Sequence, residues 1–282
     1  MNIGKFGVFY FLDSFSAQQT AHFAQEVEKM GYGALWYPEA VGRNTMVTAA
    51  WLLSQTDKLV VASGIANIFA RDAQATVAAR KALDELSGGR YLLGLGVSHA
   101  PLVEDMRGHS YHKPLARMRH YLEKMNEAIY QSIPPEKSGE LVIGALGPKM
   151  TALAGELTDG AHPYNVTPEH TAKAREIVGP DKKVYVEHKV VLETDPAKAR
   201  AVAKQALDFY INLPNYRNNW KRLGFSEEDL AGPSDRFLDE MVYWGDAETI
   251  KAKLNKHLEA GADHVCIQPL GEEPLETLRA LA

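Results

Sequence analysis

The feature that most narrows the possible folds is an alternation of short apolar runs with capped, amphipathic stretches, sustained from Lys5 to Gln268. Residues 5–11 are rich in aromatic and aliphatic side chains and read as a buried strand that leaves its sheet at Leu12-Asp13-Ser14. Ser16 followed three residues later by Gln19 is a capping-box pattern. Ala21, Phe23, Ala24, Val27 and Met30 then form one apolar face, and Gly31 stops the helix. Residues 34–37 are a second strand, ended by Pro38. The alternation continues with a helix over 45–54, a strand over 59–65, a helix capped by Asp72 and running to Leu86, and a strand over 91–95. Next come a helix over 114–130, a strand over 141–145, a helix begun by Pro148, and a strand over 160–163. Thr167-Pro168 opens a helix in N-cap then N1-proline order. A strand over 183–192, helices between 196 and 210, a helix over 246–260 and a strand over 264–268 complete the series.

Strands separated by helices pair in parallel through right-handed crossovers, and eight such units close into a barrel. The 282 residues suit one (β/α)8 TIM barrel spanning 1–282, with helical and loop insertions at its carboxyl-terminal face. The competing α/β architecture is an open doubly wound sheet, whose dinucleotide turn would be an early Gly-x-Gly-x-x-Gly. Here Gly94-Leu95-Gly96 falls on the fourth strand and His99 occupies the third glycine position. The connections 97–113 and 213–242 are too long for simple turns and read as walls or lids over the barrel mouth.

Charge and cysteine content exclude several functions. Acidic residues number 36 against 31 basic, a formal net charge of −5, so neither nucleic acid nor anionic lipid meets a general attraction. Cys266, the only cysteine, rules out an internal disulfide and a cysteine-cluster metal site. The apolar stretch 6–12 is far shorter than the ~20 residues that cross a bilayer. A cytoplasmic location is the expectation.

Residues that follow the strands should carry the chemistry. In order they are Asp13, Glu39, Ser63 with Gly64, Ser98 with His99, Leu146 with Gly147, His162 with Tyr164, and Gln268. No metal site is expected: His109 and His112 lack a third nearby ligand and read as loop residues. A nucleophile elbow is absent, and Cys266 sits within an apolar run as a small hydrophobe. The run Gly144-Ala145-Leu146-Gly147-Pro148-Lys149 brings a strand into a helix whose free amides and positive dipole end could hold a phosphate; the plainer reading is a shaped turn.

Two blocks, residues 59–72 (LVVASGIANIFARD) and 88–96 (GGRYLLGLG), resemble the bacterial-luciferase-like flavin oxidoreductases, most closely the branch that uses the deazaflavin coenzyme F420. Gly31-Tyr32-Gly33-Ala34-Leu35-Trp36, Gly147-Pro148, Asp159-Gly160-Ala161, Trp244-Gly245-Asp246 and residues 260–265 (AGADHV) extend the likeness over almost the whole chain. The resemblance implies the (β/α)8 barrel, a homodimer, a small-molecule substrate, and a flavin or deazaflavin ring in the mouth. The ring would lie against a bulge at Ser63-Gly64, often with a non-prolyl cis peptide, and Ile65 and Asn67 would stand beside it. Glu39 takes the position of the family's acidic residue after strand two, and Ala145, Leu146 and Gly147 that of its phosphate loop. The deazaflavin sugar-phosphate dehydrogenases carry an aspartate-histidine pair after strand two and a glutamate after strand four, where this chain has Glu39-Ala40 and His99. A sugar-phosphate substrate is therefore not implied.

For the proton that accompanies hydride transfer, His99 is the first candidate, with His162 and Glu39 in reserve, since imidazole titrates near neutrality. Tyr164, Tyr216 and Trp220 are candidate pocket walls, although aromatic residues at such spacings more often pack. Arg43, Arg71, Lys113 and Arg117 are cations that could meet the coenzyme's acidic tail or simply face solvent. Coenzyme F420 is the expected cofactor. The alternatives are an FMN-dependent luciferase-like monooxygenase and a flavin-binding barrel without catalysis.

Overall fold

The computed structural model describes residue 1 and residues 3–282. Ten strands succeed one another: β1 (Phe6–Phe9), β2 (Ala34–Tyr37), β3 (Val60–Ser63), β4 (Ala66–Asn67), β5 (Tyr91–Gly96), β6 (Leu141–Gly144), β7 (Gly160–His162), β8 (Lys183–Leu192), β9 (Val242–Gly245) and β10 (His264–Pro269). Eight of them form a closed parallel barrel in the order β1-β2-β3-β5-β6-β7-β8-β10. Closure is made by β10, which pairs with β1 at Phe6↔Val265 and with β8 at His264↔Tyr185. The open-sheet alternative is thereby excluded.

The helices begin where the capping chemistry expects. Ser16 Oγ accepts the Gln19 amide at 3.2 Å while Gln19 Oε1 accepts the Ser16 amide at 2.8 Å, which starts helix Ala17–Lys29. Asp72 accepts the Ala75 amide at 2.7 Å, and Gly88, at φ 67°, ends helix Ala73–Ser87 in the left-handed region that favours glycine. Within the barrel Phe9, Trp36, Ala62, Leu92, Val142, Tyr185 and Cys266 form a buried layer, and the helices pack their apolar faces on the outside.

Three expectations need correction. The strand over 59–65 breaks at Ser63, and Ala66–Asn67 forms a separate short strand on β5. The helix expected over 114–130 ends at Asn126, and the insertion over 213–242 is three helices, Pro214–Arg222, Glu227–Ala231 and Asp235–Met241. Trp220, Phe225, Leu230 and Phe237 give these helices a buried core of their own, which repays the entropy of ordering them. Finally, Val242–Gly245 is a strand that pairs with the far end of β8.

Gly94 and Gly96, which failed as a dinucleotide turn, have a packing role. A methyl group on Gly94 would fall inside contact distance of the Ser63 carbonyl oxygen, and one on Gly96 would strike the Ile65 side chain. Ser63 Oγ fastens the same place, accepting the Gly94 amide at 3.0 Å and donating to its carbonyl at 2.9 Å. Gly94→Ala is therefore expected to destabilise the protein by about 1–3 kcal/mol through overpacking. Urea unfolding checks this, and an unchanged midpoint would mean that the Ser63 turn yields freely.

Candidate active site

A cavity of about 480 Å³ opens at the carboxyl ends of the barrel strands. Its floor is the segment after β3. The Gly64–Ile65 peptide is cis, the Gly64 amide donates to the Tyr37 carbonyl at 2.8 Å, and the Ile65 carbonyl accepts the Glu39 amide at 3.1 Å. The Ile65 side chain rests between Gly96 and Gly144, where larger residues would displace it. An apolar ledge results, with the Phe9 ring against Gly64 and Tyr164 against Phe9.

Glu39, Gly64, Ile65, His99, Ala145, Leu146, Gly147 and His162 all line this cavity. Ser63 and Asn67 do not. Ser63 is fully buried and binds Gly94, while Asn67 Oδ1 accepts the Phe69 amide at 2.9 Å and shapes the turn. Both support the ledge from beneath. Of the expected walls, Tyr164 and Tyr216 face the cavity, whereas Trp220 is buried in the insertion's core and donates to the Asn165 carbonyl at 3.0 Å.

Glu39 is at the rim, but its carboxylate is spent on structure. Arg71 grips both oxygens, the Asn67 amide donates to Oε2 at 2.9 Å, and the Thr45 amide donates to Oε1 at 3.3 Å. Four donors occupy one buried carboxylate, which ties the end of β2 to β4, Arg71 and the start of helix Thr45–Gln55.

The two histidines differ from free imidazoles. Burial pushes His162 down to about 4; its Nδ1–H donates to the Tyr185 carbonyl at 2.8 Å, and its ring stacks on Trp36 at 4.5 Å. Its Nε2 is a buried acceptor without a partner among the described residues, and a methyl group built on Gly64 would lie 3.1 Å from it. Burial also lowers His99 to about 4, opposed by a hydrogen bond with the Asn215 side chain. Phe209 and Tyr216 flank its ring. Both imidazoles are neutral at pH 7, which corrects the expectation of titration near neutrality: desolvation disfavours the cation.

At the turn after β6, helix Pro148–Leu157 starts with Gly147 as N-cap and Pro148 in its first position. The Leu146 carbonyl is held by His170 Nε2 at 3.0 Å. A methyl group on Gly147 would lie 3.9 Å from an Arg222 guanidinium nitrogen, so a cation from the insertion faces the helix N-terminus. That pairing of free amides and guanidinium is suited to an anion.

Sequence reasoning missed a second polar layer beneath the wall. Lys189 is 1% exposed, donates to Asn165 Oδ1 at 2.5 Å and Glu187 Oε1 at 3.1 Å, and lies 3.9 Å from the centroid of the Tyr164 ring. Glu187 also accepts the Asn165 amide at 3.0 Å. Tyr164 in turn donates to Gln268 Oε1 at 2.8 Å and meets the Tyr210 hydroxyl at 3.0 Å. The available signal was Glu187-His188-Lys189, three polar residues inside an otherwise apolar strand.

A closed parallel barrel whose strand ends open into an apolar cavity with two buried, neutral imidazoles at its mouth has the arrangement in which (β/α)8 barrels carry their active sites. The chain belongs to the luciferase-like monooxygenase family, whose model matches residues 4–264. A protein of Mycobacterium tuberculosis named as a coenzyme F420-dependent oxidoreductase is 24% identical over 94% of each chain. Among solved structures, the coenzyme F420-dependent tetrahydromethanopterin reductase from Methanopyrus kandleri is similar at TM-score 0.80 and 18% identity, over 98% of this chain and 96% of that one. The FMN-bound oxygenating component of 3,6-diketocamphane monooxygenase from Pseudomonas putida is similar at TM-score 0.75 and 15% identity, over 98% and 96% of the two chains.

Proposed function

We propose that the protein is an oxidoreductase that transfers hydride between coenzyme F420 and a small organic molecule. The observation that carries this reading is the ledge at Gly64–Ile65, which lines the same cavity as Gly147 at the turn that Arg222 approaches. The residues present fit such a group: Gly64 and Ile65 would carry the ring, and the amides after Ala145 and Leu146, with Arg222, would hold its phosphate. The F420-dependent relative supports the choice of deazaflavin over FMN. Bound there, the deazaflavin supplies a two-electron hydride acceptor or donor.

The chain's own residues then orient the substrate and manage one proton. Phe209, Tyr210 and Tyr216 exclude water from the space above the ledge. His99, neutral at pH 7, accepts a proton from the substrate at a ring nitrogen that Asn215 does not engage, and returns it in the reverse direction. His162 Nε2, fixed as an acceptor by its Nδ1–H bond to Tyr185, receives a hydrogen bond from whatever donor lies on the ledge.

Titration of the purified protein with oxidised F420 and with FMN tests the assignment. Saturable F420 binding with little FMN affinity is expected; tight FMN binding without F420 affinity would instead make the protein an FMN-dependent monooxygenase. Binding with no turnover on any substrate offered would point to a silent flavin-binding barrel. His99→Ala is expected to lower kcat by about 10²–10⁴ with little change in F420 affinity, the range for a lost general base. Unchanged kcat would remove His99 from proton transfer.

A further inference from the structure

A second cleft, of about 350 Å³, lies beside the mouth, and Glu39, Ala40 and Val41 line both. Its remaining wall brings together Arg43 from the segment after β2, Arg71 after β4, and Arg107 from the connection after β5. Arg71 is neutralised by Glu39. Among the described residues the other two guanidiniums have no carboxylate partner. Arg43 donates through Nη2 to the Phe15 carbonyl at 2.5 Å, and its Nε is buried without an acceptor among the described residues. Arg107 has a buried Nε in the same condition, and no described residue forms an ion pair with it. Asp13 Oδ1 accepts the Arg43 backbone amide at 2.7 Å.

Two unpaired, half-buried guanidiniums facing one cleft repel each other and leave donors unsatisfied. An anion answers both costs, because the planar fork of arginine matches a carboxylate or phosphate. We propose that this cleft binds an anionic group, carboxylate or phosphate, of the organic substrate, whose reacting carbon reaches the mouth past Ala40 and Val41. The assignment to substrate rests on the reading of the mouth as the reaction site. The coenzyme's own anionic part is placed elsewhere on the rim: Gly147 follows β6, whereas the cleft is built after β2, β4 and β5.

The test uses inorganic phosphate as the probe, titrated calorimetrically into the full chain against sodium chloride of matched ionic strength. Saturable phosphate binding is expected to persist in the F420-saturated protein, where the coenzyme already takes the Gly147–Arg222 turn. Arg107→Gln and Arg43→Gln should each weaken it about tenfold, the effect of losing one charge-assisted contact. F420 affinity should stay at the parent value in both. Using two separate variants, each checked by its unfolding midpoint, keeps a folding defect in one from deciding the matter. Absence of saturable binding in the F420-saturated protein, or binding that is indifferent to both substitutions, overturns the proposal; the first, with binding present in the bare protein and weakened by both substitutions, gives the cleft to the coenzyme's tail. Should F420 itself fail to bind, the proposed function falls, while phosphate binding lost in the two variants still upholds the anion site.

Discussion

Between pH 7 and pH 5 the protein is expected to lose several kcal/mol of unfolding free energy, because buried imidazoles must stay neutral for the barrel to stay folded. Burial lowers His162 and His264 to about 4 and His257 to about 3. In the unfolded chain the same groups take up a proton near 6.5. Through this window the unfolded state binds more protons than the folded one, so stability falls as pH drops, by about 2 kcal/mol for each imidazole. His264 shows why the folded state resists protonation. Its Nδ1–H donates to the Gly4 carbonyl at 2.8 Å and its Nε2 accepts the Trp36 indole N–H at 3.2 Å, so a second ring proton would break the Trp36 bond. Asp84 acts in the opposite sense: burial raises it to about 6, and its protonation below that returns about 1 kcal/mol. The net loss is a large fraction of the 5–15 kcal/mol typical of folded domains. Urea midpoints measured by far-ultraviolet circular dichroism from pH 8 to pH 5 check it, and a flat profile would show that these imidazoles are not held neutral by burial.

The second large effect is expected at the buried pair. Lys189→Met leaves Glu187, which is fully buried, without its cation, and burial already pushes that carboxyl upward while Lys189 lowers it. Breaking such a pair from one side costs about 3–5 kcal/mol, since the remaining charge is uncompensated. Adding Glu187→Gln should restore much of the loss, because an uncharged pair of similar volume avoids the desolvation cost. Lys189 also sits beneath the Tyr164 and Tyr210 rings, so the single variant should loosen that cavity wall as well. Denaturant unfolding of the parent, the two single variants and the double variant forms the cycle. A loss under about 1 kcal/mol in Lys189→Met, or no recovery in the double variant, would show that Glu187 is not stranded as a charge.

Much of the framework was legible in local pattern. The Ser16–Gln19 capping box, the Asp72 cap and the Thr167-Pro168 start each act within four residues of chain, and each helix begins where those residues place it. The strand over 183–192 has its expected limits, because valine, tyrosine and leucine on both sides of Glu187-His188-Lys189 favour extended chain. The insertion was less legible: residues 214–222 are mean-polar, and their helix depends on Trp220 finding Phe237 in a later helix. Eight of the named site residues do line the mouth, since residues just past a barrel strand have little other place to go. Glu39 shows the limit, for nothing near it in sequence reveals that Arg71 occupies both its oxygens.

The sequence by itself determined the alternation of strand and helix, the barrel that eight parallel units close, and the family, because periodicity and capping are encoded in short windows and survive whatever the chain does elsewhere. The tertiary structure alone decided which polar groups meet: Arg222 opposite Gly147, Lys189 under Tyr164, Arg43 and Arg107 across one cleft. Those partners lie far apart along the chain, and their encounter, with the charge states that follow from it, depends on how the barrel closes and how deeply each group is taken out of water.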